Sequence, residues 1–271
     1  MRSSLKARML GAAFGVGAVF GGVAWAQDAS PITITGNIAL TSDYMFRGIS
    51  QTSGGAAVQG GFDATYDMFY VGTWASNLDF ESSTIPFAPN APMELDFYGG
   101  FRPTLGPLAL DVGVVGYFYP NAKDDSWNAG ICGATCFGEY DYLEGYVKGS
   151  VSPAPGLTLG VAASYSPEFF AKTGDAYYIE GNGSVAITDM LSASGAFGYQ
   201  SIDDVSGAFA LGDSDEYLTW NIGATLSLWG LSFDARYVDT DIDAADKIIT
   251  DLYAPLENVK ERGVFTIKKS L

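Results

Sequence analysis

Apolar and polar residues alternate along most of this chain with a period of two. Ile32, Ile34, Ile38 and Leu40 occupy even positions, and the odd positions between them are mostly polar. The stretch Leu218–Leu228 repeats the same pattern. Successive side chains of a β-strand point to opposite faces, so the pattern predicts strands with one apolar and one polar face.

Twelve such stretches recur, separated alternately by short and long connections. Besides the two above, the predicted strands are Ala57–Tyr66, Phe69–Ser76, Met93–Arg102, Leu108–Tyr119, Asp141–Val151, Leu157–Ser166, Ala176–Ile187, Leu191–Gln200, Leu231–Thr240 and Val259–Leu271. The five short turns are rich in Pro, Gly and Asp, whereas the six long connections include Ser42–Gly55 and Pro120–Tyr140. This arrangement predicts a transmembrane antiparallel up-and-down β-barrel of about twelve strands, with short periplasmic turns and long extracellular loops.

A secreted β-sandwich is the alternative fold, and it would bury the apolar faces between two sheets. Aromatic residues collect at the ends of the predicted strands, for example Tyr44 and Phe46, Tyr117–Tyr119, Tyr165 and Tyr237. Such clusters fit the aromatic girdles of a membrane barrel at the two lipid–water interfaces. They therefore favour the barrel over the sandwich.

Residues 1–26 have the features of a cleaved signal peptide, which leaves residues 27–271 for the barrel. Arg2, Lys6 and Arg8 form a basic start, Met9–Val23 is apolar or small, and Ala24-Trp25-Ala26 fits a cleavage site. A single membrane anchor is the alternative, but the apolar run is shorter than the ~20 residues that a spanning helix needs. The pattern thus predicts export and insertion into the cell outer membrane.

Composition excludes several classes of function. The formal net charge of −17 disfavours nucleic acid as a partner, and the absence of histidine excludes Ser-His-Asp catalysis and histidine metal sites within the chain. Cys132 and Cys136 are expected to form a disulfide inside one loop, because they are a close pair in an exported protein. Two cysteines without histidine are too few ligands for a zinc site. We therefore predict no enzyme activity and no cofactor.

Strand parity, with Arg47 counted in the first strand, assigns a nearly balanced set of charges to the inward face. The acids are Asp43, Asp63, Glu94, Asp96, Asp111, Glu144, Glu180 and Asp234, and the bases are Arg47, Arg102, Lys148, Arg236, Lys260, Arg262 and Lys268. These residues are predicted to line the pore. Opposed charges either orient polar solutes in transit or pair across the lumen and narrow it, and the sequence leaves both alternatives open.

One long connection holds two further candidates. Asp239, Asp241 and Asp243 are spaced like the start of a calcium-binding loop, but the later positions of the motif are missing, so we expect no metal site there. An acidic rim next to lipopolysaccharide is the expected role of these residues. Residues 243–253 are predicted to form a short helix that folds inward as a constriction.

Three segments resemble one family closely. Thr35–Gln51, Gln59–Asp63 and Tyr70–Asn77 resemble the TorF-type proteobacterial porin family, also catalogued as a bacterial protein of unknown function (Gcw_chp). The resemblance implies an outer-membrane barrel and brings neither a known substrate nor a catalytic residue. One departure is Leu271, where many such barrels end on Phe.

Together these features predict an outer-membrane passive diffusion channel for small hydrophilic solutes or ions. The expected partners are outer-membrane lipid, lipopolysaccharide, the barrel assembly machinery and small polar solutes. One rival is a plugged structural or adhesion barrel that binds an external partner through its acidic loops. A second rival, an outer-membrane enzyme, is weakened by the absence of histidine.

Overall fold

Alternating polarity folds this chain into a closed barrel of twelve antiparallel strands. The computed structural model describes residues 32–79, 91–120, 122, 140–203, 216–242 and 256–271. The strands are β1 (Thr33–Thr41), β2 (Ala57–Tyr66), β3 (Phe69–Asn77), β4 (Met93–Phe101), β5 (Leu108–Phe118), β6 (Tyr142–Ala154), β7 (Leu157–Ser166), β8 (Ala176–Ala186), β9 (Leu191–Ile202), β10 (Glu216–Leu228), β11 (Leu231–Thr240) and β12 (Arg262–Ser270).

Each strand pairs with its neighbours along the chain, and β1 pairs with β12 to close the barrel. The β1–β12 ladder runs from the pair Asn37 and Ser270 to the pair Thr41 and Thr266. Closure removes the free edges of the sheet, so every strand finds backbone hydrogen-bond partners on both sides, as a bilayer requires. Both ends of the described chain lie on the side of the short turns.

The twelve predicted strands are confirmed, with ends that differ by no more than three residues from the predicted ones. The largest differences are at β6, which continues to Ala154, and at β12, which begins at Arg262. The prediction that β12 begins at Val259 is wrong because Leu256–Val259 forms a turn of helix, α1. The signal peptide, the two cysteines and the predicted helix at 243–253 lie outside the described residues.

The outer surface of the barrel is apolar. Ile34, Val71 and Ile222 point outward, and 74%, 63% and 66% of their surfaces are exposed. Tyr165 and Tyr237 also face outward, near the long connections. An apolar band with aromatic residues at its rim is typical of the lipid-facing surface of a membrane barrel. No helix within the described ranges is long and apolar enough to cross a membrane.

The buried side chains lie inside the barrel and are concentrated in one half of it. We call the half next to the long connections the upper tier, where Trp74, Tyr117, Tyr142 and Gln200 are almost fully buried. In the half next to the short turns, the lower tier, Tyr70 and Asp63 are also buried, but inward side chains such as Arg236 remain partly exposed. The lumen is thus closely packed above and more accessible to water below.

Candidate functional site in the barrel lumen

A short hairpin from the first long connection fills the upper tier. Met45–Phe46 pairs with Ile49–Ser50, and we call Met45–Ser50 the inner hairpin. Its turn residues Arg47 and Gly48 have φ angles of 47° and 87°. Positive φ at both central residues is the geometry of a two-residue type I′ turn, which suits the twist of a tight hairpin.

Glycine is required at the tip of the inner hairpin because the tip lies against the barrel wall. A Cβ atom on Gly48 would lie 2.4 Å from Cγ2 of Thr240 and 2.5 Å from Oγ1 of Thr219. Real Cβ atoms do not approach other atoms so closely. The hairpin therefore extends from the end of β1 across the lumen, and its tip contacts the inner face of β10 and β11.

Arg47 is the main polar anchor of the inner hairpin. Its Nη2 donates to both carboxylate oxygens of Glu144 on β6, at 2.7 and 2.6 Å, and its Nη1 donates to Oε1 of Gln200 on β9 at 2.7 Å. Only 8% of the Arg47 side chain and 4% of the Glu144 side chain are exposed. Burial lowers the pKa of Arg47, but the Glu144 carboxylate, together with Tyr117 and Tyr142, outweighs burial and raises the pKa above its usual range, so the guanidinium stays charged.

Aromatic rings surround this anchor. The guanidinium carbon of Arg47 lies 4.3 Å from the ring centre of Tyr178 and 4.8 Å from that of Phe46. Phe46 also meets Tyr117 edge to face, at 5.9 Å between ring centres, and Tyr117 stacks on Tyr142 at 4.4 Å. Cation–π contacts of this kind strengthen when water is excluded, as it is here.

A second anchor ties the same connection to β12. Ser50 donates its hydroxyl to Oδ1 of Asp43 at 2.6 Å, and Nε of Arg262 lies 3.1 Å from Oδ2 of Asp43. The Arg262 contact is an ion pair without hydrogen-bond geometry, because neither of these two atoms has a hydrogen-bond partner among the described residues. Asp43 is only 5% exposed, so Arg262 supplies the compensating charge that a buried carboxylate needs.

The position of several aromatic residues corrects the sequence prediction. Tyr44, Phe46, Tyr117 and Tyr119 are buried in one cluster inside the barrel, so their interpretation as an interfacial girdle is wrong. Strand parity already places Tyr117 on the inward face with Asp111, whereas Tyr44 and Phe46 follow β1, where its parity no longer applies. Tyr165, in contrast, is 40% exposed on the outside.

Two predicted wall residues, Asp43 and Arg47, follow β1 and do not belong to it. They enter the lumen because their connection folds inward, which strand parity cannot foresee. A third, Lys260, precedes β12, is exposed, and pairs with Glu257 at 2.6 Å. Strand parity therefore does not apply to Lys260, and its assignment to the wall of the pore is corrected.

The lower tier holds two local ion pairs. Arg102 lies 3.1 Å from Asp111, and its guanidinium carbon is 3.6 Å from the ring centre of Tyr70. Arg236 donates to both oxygens of Asp234, at 3.2 and 3.1 Å. Both pairs join side chains close together on one part of the wall, so they do not bridge the lumen.

Arg236 is held by more than its acidic neighbour. Its Nη1 donates to Asn221 at 2.6 Å and its Nη2 to Ser194 at 2.9 Å. Three strands, β9, β10 and β11, thus fix the guanidinium. Its side chain is nevertheless 17% exposed, about twice as much as that of Arg47.

The remaining predicted wall residues bond mostly to tyrosines and other polar neighbours. Asp63 accepts from Tyr98 at 2.8 Å, Glu180 accepts from Tyr178 at 2.8 Å, and Nζ of Lys148 lies 4.4 Å from the ring centre of Tyr146. Lys268 lies on β12, in register with Ala39 and Ser232. These inward tyrosines and Gln200 were not among the predicted wall residues, although their parity matches that of the charged residues beside them.

The two aspartates of the calcium-like spacing that the structure describes have other roles. Asp239 accepts from the Tyr237 hydroxyl at 2.8 Å, and Asp241 accepts from the backbone N–H of Leu218 at 2.6 Å. Asp243 lies outside the described residues. Within the part of the chain that is described, no group of three or more acidic, Cys or His residues is arranged to hold a metal.

Glu94 and Asp96 form the last part of the site, on the inner face of β4. Glu94 is 2% exposed and accepts a hydrogen bond of 2.7 Å from the Tyr44 hydroxyl. Burial, with the charge of Glu94, raises the pKa of Tyr44 well above its ordinary value, so Tyr44 stays protonated and donates. Asp96 is fully buried, and neither of its oxygens has a hydrogen-bond partner among the described residues.

Comparison with known proteins supports the fold. A family model described as a bacterial protein of unknown function (Gcw_chp) matches residues 25–271. A KdgM porin superposes with a TM-score of 0.51 at 9% identity, covering 88% of this chain and 99% of that one. No curated protein sequence matches significantly.

Two further solved barrels are similar at lower scores. OmpF of Salmonella typhi gives a TM-score of 0.46 at 7% identity, covering 89% of this chain and 97% of that one. LpxR from Salmonella typhimurium gives 0.46 at 10% identity, covering 88% and 99%. At 9% identity, the superposition on the KdgM porin shows similarity of fold alone.

Proposed function

Since the chain belongs to this Gcw_chp family of bacterial proteins of unknown function, we propose its role from the barrel itself: an outer-membrane channel for small hydrophilic solutes or ions. The observation that carries the proposal is the two-tier lumen. The lower tier is polar, charged and accessible to water, and the inner hairpin restricts the upper tier. A wall of hydrated charged side chains is what a diffusion pore presents to a polar solute.

In this proposal the inner hairpin sets the size of the opening. It contacts side chains on both sides of the barrel, from Glu144 on β6 to Thr240 on β11. Its anchors are polar, and the connection to which it belongs lies at the end of the barrel where outer-membrane barrels carry their extracellular loops. The hairpin is thus the constriction of the channel.

A plugged barrel that binds an external partner is the second candidate function. The buried ion pair between Arg47 and Glu144 favours it, because breaking such a pair leaves a buried charge without compensation. In this case the inner hairpin is a permanent plug. The acidic loops outside, and not the lumen, then carry the function.

Single-channel recording in planar bilayers tests the proposal. We expect small conductance steps from the natural chain and steps several times larger when residues 45–50 are replaced by a short Gly-Ser linker. Lys260→Ala is the control, because Lys260 lies outside the strands and is exposed. A silent natural chain with a conducting linker variant supports the plugged barrel, and silence of both folded proteins rejects the channel.

Arg236→Glu is expected to raise the preference of the channel for cations. The change replaces a positive charge in the water-accessible lower tier by a negative one, and a passing ion experiences the charge of the wall. The reversal potential in a salt gradient measures the effect, with Arg236→Gln as the neutral step between the two.

Stability measured in parallel makes this test decisive. Because Asp234, Asn221 and Ser194 lose their donor, we expect a loss of about 1–3 kcal/mol in the free energy of unfolding. A folded, conducting variant with an unchanged reversal potential would show that Arg236 does not line the path of the ion.

A further inference from the structure

Asp96 is a buried carboxylate without a partner. It is 0% exposed, and both of its oxygens lack a hydrogen-bond partner among the described residues. Asp96 and Glu94 are two positions apart on β4, so both side chains point into the lumen. Two acidic groups are thus enclosed in the upper tier, one of them without any hydrogen bond in the part of the chain that is described.

No basic side chain compensates this pair within the described ranges. Neither Glu94 nor Asp96 takes part in an ion pair there, and Arg47, the basic residue of the inner hairpin, is engaged by Glu144. On the neighbouring strands, Asp96 is in register with Trp74 of β3 and Tyr117 of β5. Aromatic rings therefore flank the carboxylate, and none of them can balance its charge.

A buried and unpaired carboxylate is costly, so it either holds a proton or binds a neutralising cation. The possible metal ligands around Asp96 are oxygen atoms, from the two carboxylates and from the Tyr44 hydroxyl. Oxygen ligands suit cations such as Ca²⁺ and Mg²⁺, and a divalent cation matches the double negative charge of the pair.

We propose that Glu94 and Asp96 bind a divalent cation with the preferences of Ca²⁺, between the inner face of β4 and Tyr44, the residue before the inner hairpin. Two carboxylates are fewer than a high-affinity calcium loop supplies, so backbone oxygens or water complete the shell. We expect a dissociation constant of about 10⁻⁴–10⁻³ M, as in extracellular calcium modules. This site does not depend on whether the barrel conducts.

The position of Trp74 provides a local probe. Tb³⁺ substitutes for Ca²⁺ at oxygen sites and emits when a tryptophan close to it is excited. The chain is refolded in detergent with Tb³⁺ present, so that the ion can enter before folding buries the pair. Excitation at the red edge of the aromatic band selects tryptophan over tyrosine, and added Ca²⁺ should quench the emission by competition.

Asp96→Asn removes the charge but keeps the shape, and we expect it to weaken binding by at least the ~10–100-fold that a lost supporting partner costs a metal site. Glu94→Gln is the second variant of the pair. Asp239→Asn is the matched control, because Asp239 is in register with Trp220 on the rim and belongs to the calcium-like spacing. We expect Asp239→Asn to retain the signal.

Trp74→Phe separates binding from sensitisation. It should lose most of the emission while Ca²⁺ still raises the melting temperature of the folded barrel, as any ligand specific to the native state does. Absence of Tb³⁺ emission and of a Ca²⁺-dependent shift in the natural chain overturns the proposal, and the pair then holds a proton. A signal lost in Asp239→Asn but kept in Asp96→Asn also overturns it, because the ion then lies on the rim.

Discussion

Arg47→Ala is expected to lower the free energy of unfolding by about 3–5 kcal/mol, the cost of removing one partner of a buried ion pair. The variant leaves the Glu144 carboxylate 4% exposed and without its cation, and it removes the donor to Gln200. Denaturant titration of the barrel in detergent or lipid, followed by tryptophan fluorescence, measures the loss. The conductance of the variant should rise as well, because the hairpin loses its main anchor.

A double variant distinguishes the pair from general damage to the hairpin. Arg47→Ala with Glu144→Ala removes both charges, so the two losses should be strongly non-additive. Lys260→Ala breaks an exposed pair with Glu257 and should leave stability nearly unchanged, since exposed pairs contribute little. Additive losses from Arg47 and Glu144 would contradict a direct interaction between them.

Phe197→Lys is expected to prevent stable insertion, whereas Ala196→Lys should be tolerated. Phe197 points outward at the middle of β9 and is 54% exposed, and Ala196 points into the lumen. A lysine on the lipid face near the midplane costs about 2–4 kcal/mol, in addition to the lost contacts of the ring. A lysine on the inner face can reach water in the lower tier.

The readout is the heat-modifiable gel mobility of the folded barrel, supported by its free energy of unfolding. Because the two positions are adjacent, local backbone propensity and strand position are nearly matched. Equal losses from both variants would contradict the assignment of faces along β9. Loss from Ala196→Lys alone would place lipid on the opposite side of the strand.

The fold could be predicted from the sequence because it rests on a local signal. Parity along a strand such as β10 determines which residues face lipid, and a closed barrel follows once every strand has one apolar face. The lower-tier pair Asp234 and Arg236 could be predicted for the same reason, since the two residues are two positions apart on one face. Such pairs need no knowledge of tertiary structure.

The upper tier could not be predicted in this way. The pair Arg47 and Glu144 joins residues 97 positions apart, and it exists only because the connection after β1 turns inward. Nothing in strand parity distinguishes a loop that folds into the lumen from one that stays outside. One local signal was present. Tyr44 and Phe46, just before Arg47-Gly48, make this segment unusually apolar for an exposed loop.

The place where the two ends of the barrel meet gives the inner hairpin a mechanical role. The β1–β12 ladder has five residue pairs, whereas the β1–β2 ladder on the other side of β1 has nine. Above this short seam, Ser42 and Phe265 exchange hydrogen bonds of 2.9 Å, and Asp43 pairs with Arg262. The connection that fills the lumen is therefore also a latch on the seam, so that β1 and β12 cannot part at their upper ends without releasing it.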